Sequence, residues 1–160
     1  GEKPYLAHLQ AVKDFIEDHL ALDMPPETLD VLYMAAYEHD TLEDTPTSRE
    51  QLRRIIGEEA ELIVFLVSGL EGERRREKQE DILRKLTPRE DDLEARIRPL
   101  ARLVKLADRI SNVRSCLSTQ DKRIHMYRKE HMVFRGSIWV EGEWEKQWFV
   151  LDDLLSHKDG

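Results

Sequence analysis

An apolar run, Val31-Leu32-Tyr33-Met34-Ala35-Ala36-Tyr37, leads directly into Glu38-His39-Asp40-Thr41-Leu42-Glu43-Asp44-Thr45. Ala and Leu favour helix, and no strong helix breaker intervenes before Pro46. The spacing predicts one continuous helix into residue 44. On it His39 and Glu43 stand four apart and share a face, and Asp40 and Asp44 do the same one column over. One imidazole and three carboxylates therefore gather at the end of an apolar helix. Buried without partners, such groups are costly, so they require a metal, another cation or water. A His beside a carboxylate suits a divalent ion of the Mn, Fe or Zn kind. The pair alone is a weak signal, because a His-Asp dipeptide is common and an acidic pair also reads as a solvated helix end.

The rest of the chain sets limits on that reading. Its 160 residues suit one domain with a sizeable core. Hydrophobic residues at 40% and charged residues at 36% describe a soluble, helix-rich protein. A net charge of −8 argues against a nucleic-acid polymer or a membrane surface as partner. The single cysteine, Cys116, excludes an internal disulfide and fits a reducing cytoplasm. No apolar run approaches the roughly 20 residues of a membrane span, and no signal peptide is visible. The chain starts at Gly1 rather than Met, which leaves room for an upstream piece.

Helical periodicity runs through most of the sequence. Residues 1–4 read as a loop. Leu6, Leu9, Val12, Phe15, Ile16 and Leu20 mark an amphipathic helix over residues 5–22. His8 lies near its apolar stripe, where a hydrogen-bonded core histidine is a commoner outcome than a ligand. Pro25 and Pro26 open the helix that carries the His-Asp pair. Thr47 or Ser48 caps a third helix, Arg49–Ile56, stopped by Gly57. Leu62, Ile63, Phe65, Leu66 and Val67 make a fourth helix a core element. After Gly69 and Gly72, residues 73–86 resume as a charged helix. Its cluster Arg74, Arg75, Arg76 and Lys78 reads either as a solvated face, the usual case, or as a phosphate patch. Thr87-Pro88 begins a polar connection.

Residues 99–117 form a helix with Leu100, Leu103, Val104, Leu106, Ala107, Ile110 and Val113 on its apolar side. Asp108 borders that side, where an unpaired carboxylate is improbable. Lys105 or Arg109 as a salt bridge, or a metal, would satisfy it. Asn112 shares its face, four residues on. Residues 122–134 form a further helix bearing Tyr127 and His131. Residues 134–142 have β-like composition and admit a hairpin. Trp144, Trp148, Leu151, Leu154 and Leu155 favour a last helix over residues 143–156. The three tryptophans read as core or as an oligomer contact.

Four candidate ligands thus lie on three helices in the order His, His-Asp, Asp. This resembles the HD-domain metallohydrolases. Pro4-Tyr5-Leu6-Ala7-His8, the His-Asp-Thr-Leu-Glu-Asp-Thr of residues 39–45, and Val104-Lys105-Leu106-Ala107-Asp108-Arg109-Ile110-Ser111-Asn112-Val113-Arg114 are similar to the hydrolase domain of the RelA/SpoT proteins and their small single-domain relatives. The resemblance covers residues 4–131. It implies an all-α, single-domain HD helical bundle spanning residues 1–160, with residues 132–160 as a Trp-rich helical extension. The upstream basic helix usual in that family is not seen before Gly1.

By this resemblance His8, His39, Asp40 and Asp108 hold one divalent metal, Mn²⁺ first, with Fe, Zn, Ni or Mg as alternatives. Glu43 and Asp44 handle the attacking water. Asn112 and Tyr127 contact the nucleotide, and Tyr5 lies at the site's edge. Lys105, Arg109 and the cluster at residues 74–78 are candidate cations for the pyrophosphate. The implied substrates are ppGpp and pppGpp of the stringent response, which lose pyrophosphate from the ribose 3′ oxygen to leave GDP or GTP. The partner is then a small nucleotide in the cytoplasm, with a homo-oligomer left open. Two departures stand out: Ala7-His8-Leu9 replaces the common His-Pro, and Ser111 stands where a His is frequent. These leave the metal set intact and the nucleotide specificity open. No synthetase domain follows, so hydrolysis alone is expected. The alternatives are an HD phosphohydrolase for another nucleotide or phosphoester, or a non-catalytic metal- or nucleotide-binding module, against which the Glu43-Asp44 pair speaks.

Overall fold

The computed structural model describes residues 2–20 and 24–156, with side chains from residues 6–17 and 24–156. Among the described residues the chain is all-α, without strands. The helices are α1 (Glu2–Leu20), α2 (Pro26–Glu38), α3 (Thr41–Asp44), α4 (Arg49–Ile56), α5 (Glu58–Val67), α6 (Arg75–Leu86), α7 (Asp92–Arg96), α8 (Arg98–Thr119), α9 (Ile124–Ile138) and α10 (Glu145–Ser156). None is long and apolar enough to cross a membrane.

α8 is the axis of the bundle. It packs against α1, α2, α5, α6, α7, α9 and α10. Ala101, Leu103, Val104, Leu106, Ala107, Ile110, Val113 and Cys116 are all buried, so α8 is apolar on more than one face. A helix of that kind belongs in the middle of a bundle rather than on its surface. α5 is similar, with Ala60, Ile63, Val64, Leu66 and Val67 buried.

Charged networks tie the outer helices to this axis. Ser48 and Gln51 form a reciprocal capping box at the start of α4, and Gly57 turns the chain at φ 89°. Glu61 of α5 is fully buried and accepts from Arg49 and Arg53 of α4 at 3.1 and 2.9 Å. Arg102 of α8, also buried, donates to Glu94 at 2.5 Å, to Glu143 at 2.8 Å and to the Leu86 carbonyl at 2.9 Å. One residue thus gathers α6, α7 and the approach to α10.

The structure departs from the sequence expectation in four places. α1 begins at Glu2, so residues 2–4 are helical rather than loop; Pro4 sits in the first turn, where no amide partner is needed. The helix expected to run through residue 44 ends at Glu38 and restarts at Thr41. The polar connection after Thr87 contains α7, capped by the Asp91 carboxylate. α9 continues to Ile138, which excludes a hairpin over residues 134–142. Phe134 and Ile138 are buried at helical spacing, and that burial overrides β propensity. The three tryptophans are core: Trp148 is buried, Trp139 and Trp144 are partly buried against the core cluster, and the Trp144 indole donates to the Pro99 carbonyl at 2.8 Å. α10 therefore belongs to the same core as α8.

Candidate functional site

The break between α2 and α3 builds the site. His39 is 4% exposed, and its Nδ1 lies 2.6 Å from the Ala36 carbonyl. That carbonyl is the acceptor a continuing helix would offer to Asp40, and a side chain that competes for it favours a helix end. With Nδ1 donating to that carbonyl, Nε2 is the nitrogen turned into the interior. The His39 carbonyl lies 3.5 Å from the Ser68 hydroxyl at the end of α5.

Three segments converge there. Ligand atoms of His8 on α1, His39 and Asp40 lie within 4.8 Å of one another. Asp108 joins them from α8: its Oδ1 is 2.8 Å from His8 Nε2 and 3.3 Å from His39 Nε2. Asp40 Oδ1 is also 3.3 Å from His39 Nε2. His8 Nδ1 lies 3.0 Å from the Ser111 hydroxyl. Each imidazole therefore has its second nitrogen held by a neighbour, as ligand histidines require. Asp108 is further met by Lys105 at 3.2 Å and Asn112 at 3.4 Å.

The electrostatics call for a cation. Burial lowers the His39 pKa, but the carboxylates of Asp108 and Asp40 outweigh it and raise it to about 9. Burial raises the Asp40 pKa; His39 offsets part of this, while Asp108, Asp44 and Glu43 add to it. Burial also opposes ionisation of Asp108, yet Lys105, His39 and His8 hold it well below the usual carboxylate range. The residues fit a divalent ion on a specific observation. His39 Nε2 is buried without a hydrogen bond although two carboxylates stand 3.3 Å away, close enough for ion pairing but not aligned for hydrogen bonding.

His8, Asp40 and Asp108 line a polar cleft of about 470 Å³, with His39 buried against them. Glu43, Asn112, Lys105 and Tyr127 line it too, and α6 supplies Arg75, Lys78 and Gln79. Glu43 accepts the Gly69 amide. Gly69 has no room for a side chain, since a Cβ there would stand 2.6 Å from Lys78 Cβ and 2.9 Å from the Lys78 carbonyl oxygen. That close approach seats α6 beside the cleft.

Other expected residues stand elsewhere. Asp44 is exposed and does not line the cleft. Arg109 is buried behind Tyr127, 4.9 Å from that ring and 4.3 Å from the Phe134 ring. It meets Glu130 at 3.5 Å, so the ion pair of Asp108 is with Lys105 instead. Of the basic cluster, Arg75 and Lys78 face the cleft, while Arg76 pairs with Glu80 at 3.2 Å. The side chain of Tyr5 lies outside the described residues. Ser111, Gly69 and Gln79 carry structural weight at the site that the sequence did not assign them. Ser111 follows Asp108 by three positions on α8, a helical neighbour relation that points to it.

The family model described as HD domain matches residues 5–113. A GTP pyrophosphokinase of Streptomyces coelicolor is 34% identical over 113 residues, which is 70% of this chain and 12% of that protein. A guanosine-3′,5′-bis(diphosphate) 3′-pyrophosphohydrolase of Haemophilus influenzae is 35% identical over 122 residues, 76% of this chain and 17% of that protein. The chain thus spans less than a fifth of the length of either relative.

Proposed function

The chain belongs to the HD domain family, and from that premise we propose that it is a metal-dependent phosphohydrolase removing pyrophosphate from the ribose 3′ oxygen of ppGpp- or pppGpp-like nucleotides. One observation carries the reading: two imidazoles and two carboxylates converge at the edge of a cleft whose walls include Arg75, Lys78 and Lys105. The likeness to the Haemophilus influenzae pyrophosphohydrolase favours the guanosine substrate.

His8, His39, Asp40 and Asp108 would hold one divalent ion, of the Mn type or alternatively Fe, Zn, Ni or Mg. Such an ion lowers the pKa of a bound water and polarises a phosphoryl oxygen. The protein's own groups do the rest. Ser111 and the Ala36 carbonyl orient the two imidazoles. Glu43 has one oxygen engaged by the Gly69 amide, which leaves the other to take the proton of the attacking water. Arg75, Lys78 and Lys105 offset the charge of the phosphates. Asn112 and Tyr127 line the same cleft, where they would border the nucleotide. A second hollow of about 520 Å³ between α1 and α8 shares His8 and Asn112 with the cleft. Phe15 lines it with the Arg114 guanidinium 5.7 Å from its ring, which gives a nucleoside a place beside the phosphates. In the balanced reaction the water oxygen bonds to the phosphorus, the bond from phosphorus to the 3′ oxygen breaks, and that oxygen leaves with a proton. The products are pyrophosphate and GDP or GTP.

The test measures pyrophosphate release from ppGpp, GTP and a simple phosphodiester, with Mn²⁺ and with chelator. Metal-dependent release from ppGpp alone is expected. Turnover of another substrate in its place would keep the phosphohydrolase and discard the alarmone.

A further inference from the structure

A third hollow, about 810 Å³, lies between α6 and α9. Arg75 and Gln79 line both it and the phosphate cleft, so the two are neighbours across those side chains. The surfaces differ in kind. Leu83, Met126, Val133 and Phe134 line the hollow with apolar surface, whereas carboxylates, imidazoles and cations dominate the cleft. With the hollow beside Phe15, the phosphate cleft is flanked by less polar space on both sides.

Two details at the shared wall point to a ligand. Gln79 Nε2 is buried and has no acceptor among the described residues. An unsatisfied buried donor is unfavourable unless something supplies an acceptor. Arg75 meets Glu130 at 2.6 Å, but the buried Arg109 meets the same carboxylate at 3.5 Å. Arg75 can therefore turn toward a phosphate without leaving Glu130 unpaired. The rim has surplus positive charge: Arg76 pairs with Glu80, and Lys129 has no carboxylate partner among the described residues.

Resting on the phosphohydrolase reading above, we infer that the α6–α9 hollow is a second organic subsite, so that the cleft takes nucleotides carrying a ring-bearing group on each side of their phosphates. A dinucleoside polyphosphate has that form. Its phosphates run past Arg75 and accept from Gln79, and its second nucleoside lies over Val133 and Met126. A nucleotide ending in a free phosphate fills only the cleft and one hollow.

The probe is P1,P3-diguanosine triphosphate, compared with GTP, its fragment lacking the second guanosine. Isothermal titration of the Mn²⁺-loaded protein should show the dinucleotide binding about tenfold more tightly, the advantage of one more buried apolar contact. Val133→Asp, at a position 63% exposed and so tolerant of charge, should bring that ratio to about one. Phe149→Ser, at an exposed site that lines neither hollow, should leave the ratio as it was. Equal affinity for the two ligands, no binding of either, or a ratio untouched by Val133→Asp overturns the subsite. Turnover of ppGpp by the same preparation reports separately on the proposed hydrolysis, so the two ideas fail independently.

Discussion

Glu43 and Asp44 are adjacent in sequence, yet only Glu43 lines the cleft. Glu43→Gln is therefore expected to lower turnover by about 100- to 10,000-fold, the usual worth of a general base, with bound metal unchanged by elemental analysis. Asp44→Asn should cost far less. Ser111→Ala removes the group that holds His8 Nδ1. It should weaken metal binding by about 10- to 100-fold in a chelator competition while the circular dichroism spectrum stays the same. Asp108 stood out because it lies at an apolar helix border where a lone polar group is improbable, whereas the full set His8, His39, Asp40 and Asp108 came from the resemblance to the HD-domain metallohydrolases. Arg109 was not placed by the same reasoning. It is one residue beyond Asp108, and one residue is about 100° around a helix, enough to turn it from the cleft to the space behind Tyr127. Sequence spacing fixes which residues share a face, but not which neighbour that face meets.

At the scale of elements, the seat of α6 depends on an absent side chain. Gly69→Ala would push a methyl against the Lys78 backbone, which cannot rotate away. A loss of about 1–3 kcal/mol in denaturant unfolding is expected, together with reduced turnover, because the same amide holds Glu43. The α7–α8 network predicts how the fold meets acid. Hydrogen bonds from Arg98 and from the Glu94 amide hold the Asp91 pKa at about 2, below its ordinary 3.8. Burial opposes the same shift at Glu94, but Arg102 outweighs it. A carboxylate with a depressed pKa stabilises the fold above its unfolded value and ceases to do so as pH falls through the folded one. The denaturant midpoint should thus fall between pH 4 and pH 2, and Arg98→Met should flatten that slope. α4, with its reciprocal cap and its glycine stop, was read to the residue. The α2–α3 break was not, because the cause is a side chain turning back on its own helix rather than a Pro or Gly.

The described residues form one core threaded by α8, and the candidate metal ligands sit on its flank, His8 and Asp108 within helices and His39 and Asp40 at the break between α2 and α3. The helical class and most helix positions followed from apolar periodicity, but the central place of α8 became plain only when its several buried faces met their neighbours. The role of the Trp-rich segment from residue 132 onward was hidden for a similar reason: Trp148, Leu151 and Leu155 complete a surface formed by residues far away in sequence. The contact between His8 and Asp108, at 2.8 Å, joins positions one hundred residues apart. An ion shared by those two side chains would act as a removable staple between α1 and the centre of the bundle. Metal loading would then be coupled to folding, and a chelator would lower stability as a denaturant does. The melting temperature should rise steadily with the logarithm of free Mn²⁺ once the site begins to fill, and Asp108→Ala should abolish that rise.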